Sequence, residues 1–212
     1  SDVCSSDLTA RRFFGDLAPR WPDAAERRAM ADVASRDAGR VRRGARVLGR
    51  TPVFDAVLRT GVSITMVAGG IRSNVIPTEA AATLNVRTLP GASIDAVVAR
   101  LRRAVDDPLV DLAVVERGED APASSFASPL FTAIADAARA LDPSLAVVPY
   151  MSTGATDSAR LRRLGIEALG VLPFPMDQGD EDRMHGNDER VPLDALHFGT
   201  RLIYGAIYRV TR

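Results

Sequence analysis

The 212-residue chain is 46% hydrophobic, which is enough apolar content for one large domain or two modest ones. Its 27 basic residues, all of them Arg, balance 27 acidic residues, so nucleic acid is not expected as a partner. The single cysteine, Cys4, cannot form an internal disulfide, and no apolar run approaches the roughly 18 residues that cross a bilayer, so a cytoplasmic protein without a membrane partner is expected.

The N-terminal part of the chain is predicted to be helical. Residues 1–8 lack the basic start and apolar centre of a secretory signal, and we interpret them as a non-native leader. Residues 9–61 should be mainly helical. Within them, residues 23–46 are rich in Ala, Arg, Asp and Glu with few large apolar side chains, which predicts a peripheral position. Thr51 then caps a short helix over residues 52–59.

A change of period after this region predicts a hairpin. Apolar and polar residues alternate over residues 62–67, and residues 81–86 read as a second, antiparallel strand. Ser93 caps a helix, and residues 109–115 supply a further strand. Strand, strand, helix and strand make up most of a ferredoxin-like unit over residues 62–117, without its first strand and helix.

Residues 118–212 predict a second packing unit. Residues 118–128 are polar and contain Pro, which is typical of a linker. Beyond the linker, predicted helices alternate with predicted strands, and this alternation indicates part of an α/β sheet. The helices are expected over residues 129–141, 158–164 and 193–209, and the strands over residues 145–148 and 166–172.

A loop over residues 173–192 contains the first candidate functional residue, His185. Long loops in compact domains are often functional, and an imidazole flanked by carboxylates is a suitable zinc ligand. The flanking run is Met-His-Gly-Asn-Asp-Glu-Arg. A lone loop histidine is more often a solvated or hydrogen-bonded side chain, so its spacing alone does not assign it to a metal.

Three other positions could contact a ligand. Asn74 follows a Gly-Gly pair and could present its amide to a ligand, or could belong to an ordinary hairpin loop. Arg87 could clamp a carboxylate, or could only reach solvent or pair with an Asp. The turn over residues 152–157 follows a predicted strand and could meet polar substrate atoms, or Thr156 or Asp157 could only cap the next helix.

Three motifs in a fixed order give the most specific signal. They are Asn-Val-Ile-Pro with Asn-Val-Arg-Thr-Leu-Pro-Gly behind it, then Gly-Ala-Thr-Asp-Ser-Ala-Arg, then His-Gly-Asn-Asp-Glu-Arg-Val. Together they resemble the two-zinc family that contains aminoacylase, acetylornithine deacetylase, succinyl-diaminopimelate desuccinylase and carboxypeptidase S. The resemblance is closest to the carboxypeptidase S-like branch and extends from about Phe13 to the end of the chain.

The resemblance implies an α/β (α+β) fold in two parts. Residues 62–117 would be a partial ferredoxin-like lid or dimerisation domain, and residues 118–212 the C-terminal half of an α/β zinc-hydrolase catalytic domain. A homodimer through the lid is implied, as are two zinc ions in each intact active site, with His185 as the last metal ligand.

The same resemblance assigns substrate-binding residues. Asn74 and Arg87 would bind the substrate, a small molecule with a free carboxylate that Arg87 grips. The substrate-facing turn would comprise Gly154, Ala155 and Thr156.

The implied activity is zinc-dependent hydrolysis of the amide bond in N-acyl amino acids or small peptides. The family's His-x-Asp motif, bridging Asp and Glu-Glu general base have no counterpart in this sequence. No catalytic residue is therefore assigned to this chain, and His185 is the one metal ligand retained. We expect the chain to be the C-terminal portion of such an enzyme and inactive alone. The alternative is a non-catalytic ferredoxin-like binding or dimerisation module.

Overall fold

The computed structural model describes residues 8–118, 121–154 and 156–212. The expectations for residues 1–7, which include Cys4, and for Ala155 lie outside the described residues. Contacts between backbone segments divide the chain into two units. One takes in Ser1–Ala121 and Pro149–Ala155, and the other takes in Pro122–Val148 and Thr156–Arg212.

The first unit is a group of helices followed by a hairpin and one more helix. Its elements in chain order are α1 (Leu8–Leu17), a short 3-10 turn (Ala18–Arg20), α2 (Ala24–Val33), α3 (Ala38–Leu48), α4 (Pro52–Leu58), β1 (Gly61–Gly69), β2 (Ala80–Arg87) and α5 (Ile94–Val105). The predictions of a helical region before residue 61 and of a hairpin after it are confirmed.

Helices α1 to α4 enclose the core of the first unit. The prediction that residues 23–46 are peripheral is wrong, because Met30 and Val33 of α2 and Val41 of α3 are almost fully buried. Burying side chains of this size contributes roughly 1.5–3 kcal/mol each relative to exposure. The other large, fully buried side chains of this unit are Phe14, Leu48, Val57 and Leu58.

Small residues explain why the core of the first unit needs few large side chains. A Cβ added at Gly44 of α3 would lie 2.4 Å from the backbone carbonyl O of Ala29 in α2 and 3.0 Å from Cγ2 of Val33. The two helix backbones therefore approach more closely than any residue other than Gly allows at this position. An Ala-rich sequence has few large apolar residues but can bury its backbone in this way.

Two aspartates begin these helices. Asp23 Oδ1 accepts hydrogen bonds from the backbone N of Ala25 at 2.9 Å and of Glu26 at 2.7 Å, so it caps α2. Asp37 Oδ1 accepts from the backbone N of Arg40 at 2.7 Å and caps α3. The hydrogen bond from the Arg40 backbone lowers the pKa of Asp37. Such caps satisfy backbone donors that have no partner inside the helix.

Strands β1 and β2 form an antiparallel ladder that runs from the pair Gly61 and Arg87 to the pair Gly69 and Ala80. The register shifts between Ile64 and Met66, where the pairing is irregular. Both faces of the hairpin are largely exposed, and Val67 exposes 77% of its surface. Helix α5 follows, capped by Ser93 as predicted, and contains no buried residue.

The predicted strand over residues 109–115 does not form, so the ferredoxin-like unit is not completed within the described residues. Side-chain contacts hold this segment to α5 in place of a backbone ladder. Arg102 Nη2 donates to the backbone O of Leu112 at 3.1 Å. Arg117 donates to both carboxylate oxygens of Asp95, at 2.7 and 3.2 Å. An extended segment gains its stability from pairing with a neighbour, and within the described residues the backbone ladder comprises β1 and β2 alone.

The second unit contains α6 (Pro129–Leu141), α7 (Ser158–Arg163), α8 (Gln178–Glu181) and α9 (Leu193–Val210). Helices α6 and α9 pack through small residues, with Ala137, Ala138, Leu202 and Ala206 buried between them. Ser128 caps α6, since its Oγ accepts from the backbone N of Phe131 at 3.1 Å. The predicted helix over residues 129–141 is confirmed.

The predicted strands over residues 145–148 and 166–172 do not form, which corrects the expectation of an α/β sheet in this unit. The backbone carbonyl of Ala168, which a strand ladder would use as an acceptor, bonds to side chains instead. It accepts from Ser124 Oγ at 2.8 Å and from Arg162 Nη1 at 3.4 Å. Across the described residues the sheet consists of β1 and β2, so the fold there is α+β. No helix among the described residues of either unit is long and apolar enough to cross a membrane.

We predict that Gly44→Ala lowers the free energy of unfolding by about 1–3 kcal/mol, because the added methyl group meets a backbone carbonyl that cannot move away easily. The matched control is Gly39→Ala in the same helix. There the nearest atom is the side-chain Oδ1 of Asp37 at 3.1 Å, which can shift. Urea unfolding of both variants measures the difference. A Gly44→Ala variant as stable as Gly39→Ala would contradict the close packing of α2 on α3.

We also predict that Arg117→Ala raises the pKa of Asp95. The hydrogen bonds from Arg117 and its positive charge hold that pKa below its ordinary value in the folded chain. A lowered pKa means that the contact stabilises the fold above the unfolded-state pKa, and that this contribution disappears as the pH falls through the folded-state pKa. Carboxyl-carbon NMR titration measures the pKa, and Arg103→Ala, about two turns along α5, is the control. An unchanged Asp95 pKa in Arg117→Ala would refute the pairing.

Candidate substrate-binding site

Arg87 is the last residue of β2 and its side chain is exposed. Its Nε donates to Oδ1 of Asn85 at 3.3 Å, and its Nη1 donates to the backbone carbonyl of Thr153. The first contact shows that Asn85 and Arg87 lie on the same face of β2, as alternation along a strand requires. The second joins the end of the hairpin to a turn 66 residues further along the chain.

The turn at residues 152–154 is held against the first unit by the residues just before it. The Tyr150 ring packs edge-on against Phe13, with ring centroids 5.5 Å apart and planes at 61°. Met151 packs against the helical core. Within the turn, the backbone N of Gly154 donates to Ser152 Oγ at 3.2 Å. The structure therefore brings Arg87 together with the segment that contains Gly154, two motifs that the sequence had singled out separately.

Aromatic rings connect the anchor of this turn to the helical core. Phe13 contacts Phe14 at a centroid distance of 4.9 Å, and Phe14 contacts Phe54 at 5.7 Å. Trp21 packs on Phe54 at 5.4 Å and donates its indole N–H to Glu26 at 2.6 Å. Edge-to-face pairs of this kind add about 0.5–1.5 kcal/mol each beyond their buried area. The position of the turn therefore depends on the packing of α1, α2 and α4.

Asn74 does not lie near Arg87. It is exposed in the loop that joins the strands, whereas Arg87 lies at the open end of the hairpin. The strand from Arg87 to Ala80 alone spans roughly 23 Å at about 3.3 Å per residue. A small substrate bound to Arg87 therefore cannot touch Asn74 of the same chain.

His185 lies in the second unit, exposed and with a backbone φ of 65°, a left-handed conformation in which His is enriched among non-Gly residues. Its neighbouring carboxylates pair with arginines. Arg183 contacts Asp180 at 3.1 Å and Asp188 at 3.2 Å, and Arg190 lies 3.6 Å from Asp180. The loop at residues 173–192 is also less irregular than predicted, because it contains the one-turn helix α8.

The residues present do not fit a zinc centre. A protein zinc site normally requires about three or four ligands, and within the described residues no three His, Cys, Asp or Glu side chains cluster. Arg183 pairs with Asp188, one of the carboxylates that the sequence offered as partners for the His185 ring. The second histidine, His197, is exposed on α9.

Thr156 lies in the second unit, just before α7. The predicted alternative, in which Asp157 caps this helix with its side chain, is not observed: Asp157 makes no side-chain cap bond.

An open apolar groove along α9 was missed by the sequence analysis. Its lining residues are Pro173, Phe174, Leu196, Gly199, Thr200, Ile203, Tyr204 and Ile207. The spacing of Leu196, Ile203 and Ile207 on one helix face is the signal that could have indicated it. Its lining lacks charged side chains, so it offers no cation that could pair with a carboxylate.

Comparison with known proteins adds to this geometry. Residues 13–112 match the model of a peptidase dimerisation domain of the M20 type. The chain is 32% identical over 149 residues to carboxypeptidase S-like 2 of Dictyostelium discoideum, covering 70% of this chain and 29% of that protein. It is 33% identical over 135 residues to a Mycobacterium tuberculosis protein named as the succinyl-diaminopimelate desuccinylase DapE. These residues cover 64% of this chain and 34% of that protein.

The chain belongs to the M20 metallopeptidase family. A third M20 relative, the N-fatty-acyl-amino acid synthase/hydrolase PM20D1 of Xenopus tropicalis, is 29% identical over 152 residues, which cover 71% of this chain and 30% of that protein. The match thus spans about a third of the length of these M20 proteins. No solved structure matches the chain significantly. The M20 relatives are named as hydrolases or peptidases, which relates this chain to hydrolases.

We predict that a molar excess of zinc raises the melting temperature of this chain by less than about 1 °C, because a ligand stabilises a fold only in proportion to its affinity for the folded state. One exposed imidazole is a weak site. Thermal unfolding of the wild type, His185→Ala and His197→Ala, with and without zinc, measures the effect. A rise of several degrees that His185→Ala alone removes would show that the chain assembles a zinc site around His185.

Proposed function

We propose that this chain provides the carboxylate-binding site and the dimerisation domain of an M20 amidohydrolase that cleaves N-acyl amino acids or small peptides. The observation that carries the proposal is the exposed guanidinium of Arg87, placed beside the Ser152–Gly154 turn by bonds to Asn85 and Thr153. A guanidinium matches a carboxylate through two parallel hydrogen bonds, and an N-acyl amino acid keeps its carboxylate free.

The names of the relatives support this substrate class. PM20D1 is named for N-fatty-acyl-amino acids, and DapE for removing the succinyl group of succinyl-diaminopimelate. In the proposed reaction a water oxygen adds to the acyl carbon, the C–N bond breaks, and the amine leaves with a proton. In that reaction, Arg87 binds the carboxylate and the turn backbone beside it limits how the ligand lies. Gly154, Ala155 and Thr156 remain proposed substrate contacts, and Asn74 is proposed as one only for a ligand bound to Arg87 of another copy of the chain.

We assign no catalytic residue to this chain. His185 is proposed as one ligand of a two-zinc centre whose other ligands and general base lie outside the chain, since no three potential metal ligands cluster among the described residues. The chain by itself is therefore proposed to be inactive in amide hydrolysis. The cytoplasmic location also stays a prediction, which rests on the single cysteine.

The dimerisation domain is proposed to form a homodimer through the hairpin. Residues 13–112 match the dimerisation-domain model, and the ladder within the described residues comprises β1 and β2 alone, so both outer edges are unpaired. Val62, Ile64, Met66 and Val67 expose 47–77% of their surface on β1. A ferredoxin-like arrangement of this domain remains part of the proposal.

A second candidate is a dimerisation module without a ligand. The match to a dimerisation domain and the lack of a metal cluster within the described residues favour it. Because such a module would have no preference for a carboxylate at Arg87, a ligand-binding experiment separates the two candidates.

We predict that the chain binds N-acetyl-L-leucine about two- to fivefold more tightly than N-acetyl-L-leucinamide, because an exposed ion pair contributes up to about 1 kcal/mol. Arg87→Ala should remove this preference. Arg87→Lys should restore little of it, since an ammonium group lacks the planar fork. NMR titration at low ionic strength measures the affinities.

The matched control for Arg87→Ala is Arg72→Ala, which removes an exposed arginine from the loop end of the same hairpin. It changes the net charge equally and should keep the preference for the carboxylate. Equal affinity of the wild type for acid and amide would refute the proposed function and leave the dimerisation module.

A further inference from the structure

The contacts of Arg87 leave one end of its guanidinium available to a ligand. The group has five N–H donors in a fixed plane. Nε is engaged by Oδ1 of Asn85 at 3.3 Å, and Nη1 contacts the Thr153 carbonyl. Among the described residues, Nη2 meets no acceptor. A carboxylate that approaches Arg87 can therefore form two hydrogen bonds at the end that carries Nη1 and Nη2, beside the turn.

Asn85 is suited to leave the Nη1 and Nη2 end of the Arg87 guanidinium available to a ligand. It pairs with Ser63 in the register of the hairpin, so the backbone ladder fixes its position. It lies on the face of β2 that also carries Arg87, two residues away. Its amide oxygen accepts the Nε hydrogen without neutralising the guanidinium charge. An aspartate at this position would pair with Nε and Nη2 together and compete with the ligand for the same cation.

We propose that Asn85 is a positioning residue for Arg87. Asn85 holds the Nε side of the guanidinium, so that the end carrying Nη1 and Nη2 binds a ligand carboxylate next to the Ser152–Gly154 turn. The ligand in this inference rests on the proposed function. Asn85 does not touch the ligand and acts through Arg87. Specificity for a carboxylate thus depends on an uncharged side chain two residues before the arginine.

The test compares Asn85→Leu and Asn85→Asp with Thr83→Val, a control on the same face of β2 two residues further from Arg87. Two quantities are measured. The first is the exchange rate of the Arg87 Nε hydrogen with water, followed by side-chain nitrogen NMR at mildly acidic pH. The second is the ratio of affinities for N-acetyl-L-leucine and N-acetyl-L-leucinamide. Backbone amide shifts of β1 and β2 report whether the hairpin stays folded.

In Asn85→Leu the Nε hydrogen should exchange about threefold faster or more, as expected for loss of one hydrogen bond. The preference for the carboxylate should fall toward unity while the affinity for the amide stays constant. In Asn85→Asp the preference should also vanish, although the Nε hydrogen remains protected. Thr83→Val should match the wild type in both measurements.

Two results would overturn the positioning role: unchanged Nε exchange in Asn85→Leu, or faster exchange with the carboxylate preference intact. A wild type that shows no preference between acid and amide overturns the proposed function instead. The Nε exchange rate is measured without a ligand, so it separates a failure of the Asn85 contact from a failure of the ligand assignment.

Discussion

One guanidinium connects the parts of this chain that the candidate site requires. Arg87 donates to Asn85 on its own strand and to the Thr153 carbonyl, and so joins two motifs that lie 66 residues apart. Both acceptors are uncharged, so the positive charge of Arg87 stays available to an anion. The contact to Thr153 ties the open end of an exposed hairpin to the turn at residues 152–154.

The turn can meet Arg87 because the helical core holds it. Tyr150 and Met151 pack on α1 and its neighbours, and a series of aromatic contacts continues from Phe13 to Trp21. The core in turn depends on the close approach of α2 and α3 at Gly44. The contacts of Arg87 are individually weak, but the turn that they reach is held by the packed core of helices α1 to α4. Support from a packed core gives exposed side chains a defined geometry.

The sequence predicted the features that depend on local pattern. Helical periodicity, the Ser93 cap and the antiparallel hairpin all follow from residues close in sequence. The strands at residues 109–115, 145–148 and 166–172 were predicted from apolar runs, but a strand needs a neighbour to take up its backbone bonds. The sequence prediction missed the burial of α2 and α3 because it considered only large apolar side chains, whereas small residues also let helices pack closely. The contact between Arg87 and Thr153 carries no local signal and could not have been predicted.

The central claim is that a ligand carboxylate binds where Arg87 meets the Ser152–Gly154 turn. Mapping backbone and arginine side-chain NMR shifts of the chain during titration with N-acetyl-L-leucine tests it most directly. The account predicts that the largest shifts occur at the Arg87 side chain and at residues 152–154, with none at His185. Shifts concentrated along the apolar groove of α9, with Arg87 unaffected, would contradict it.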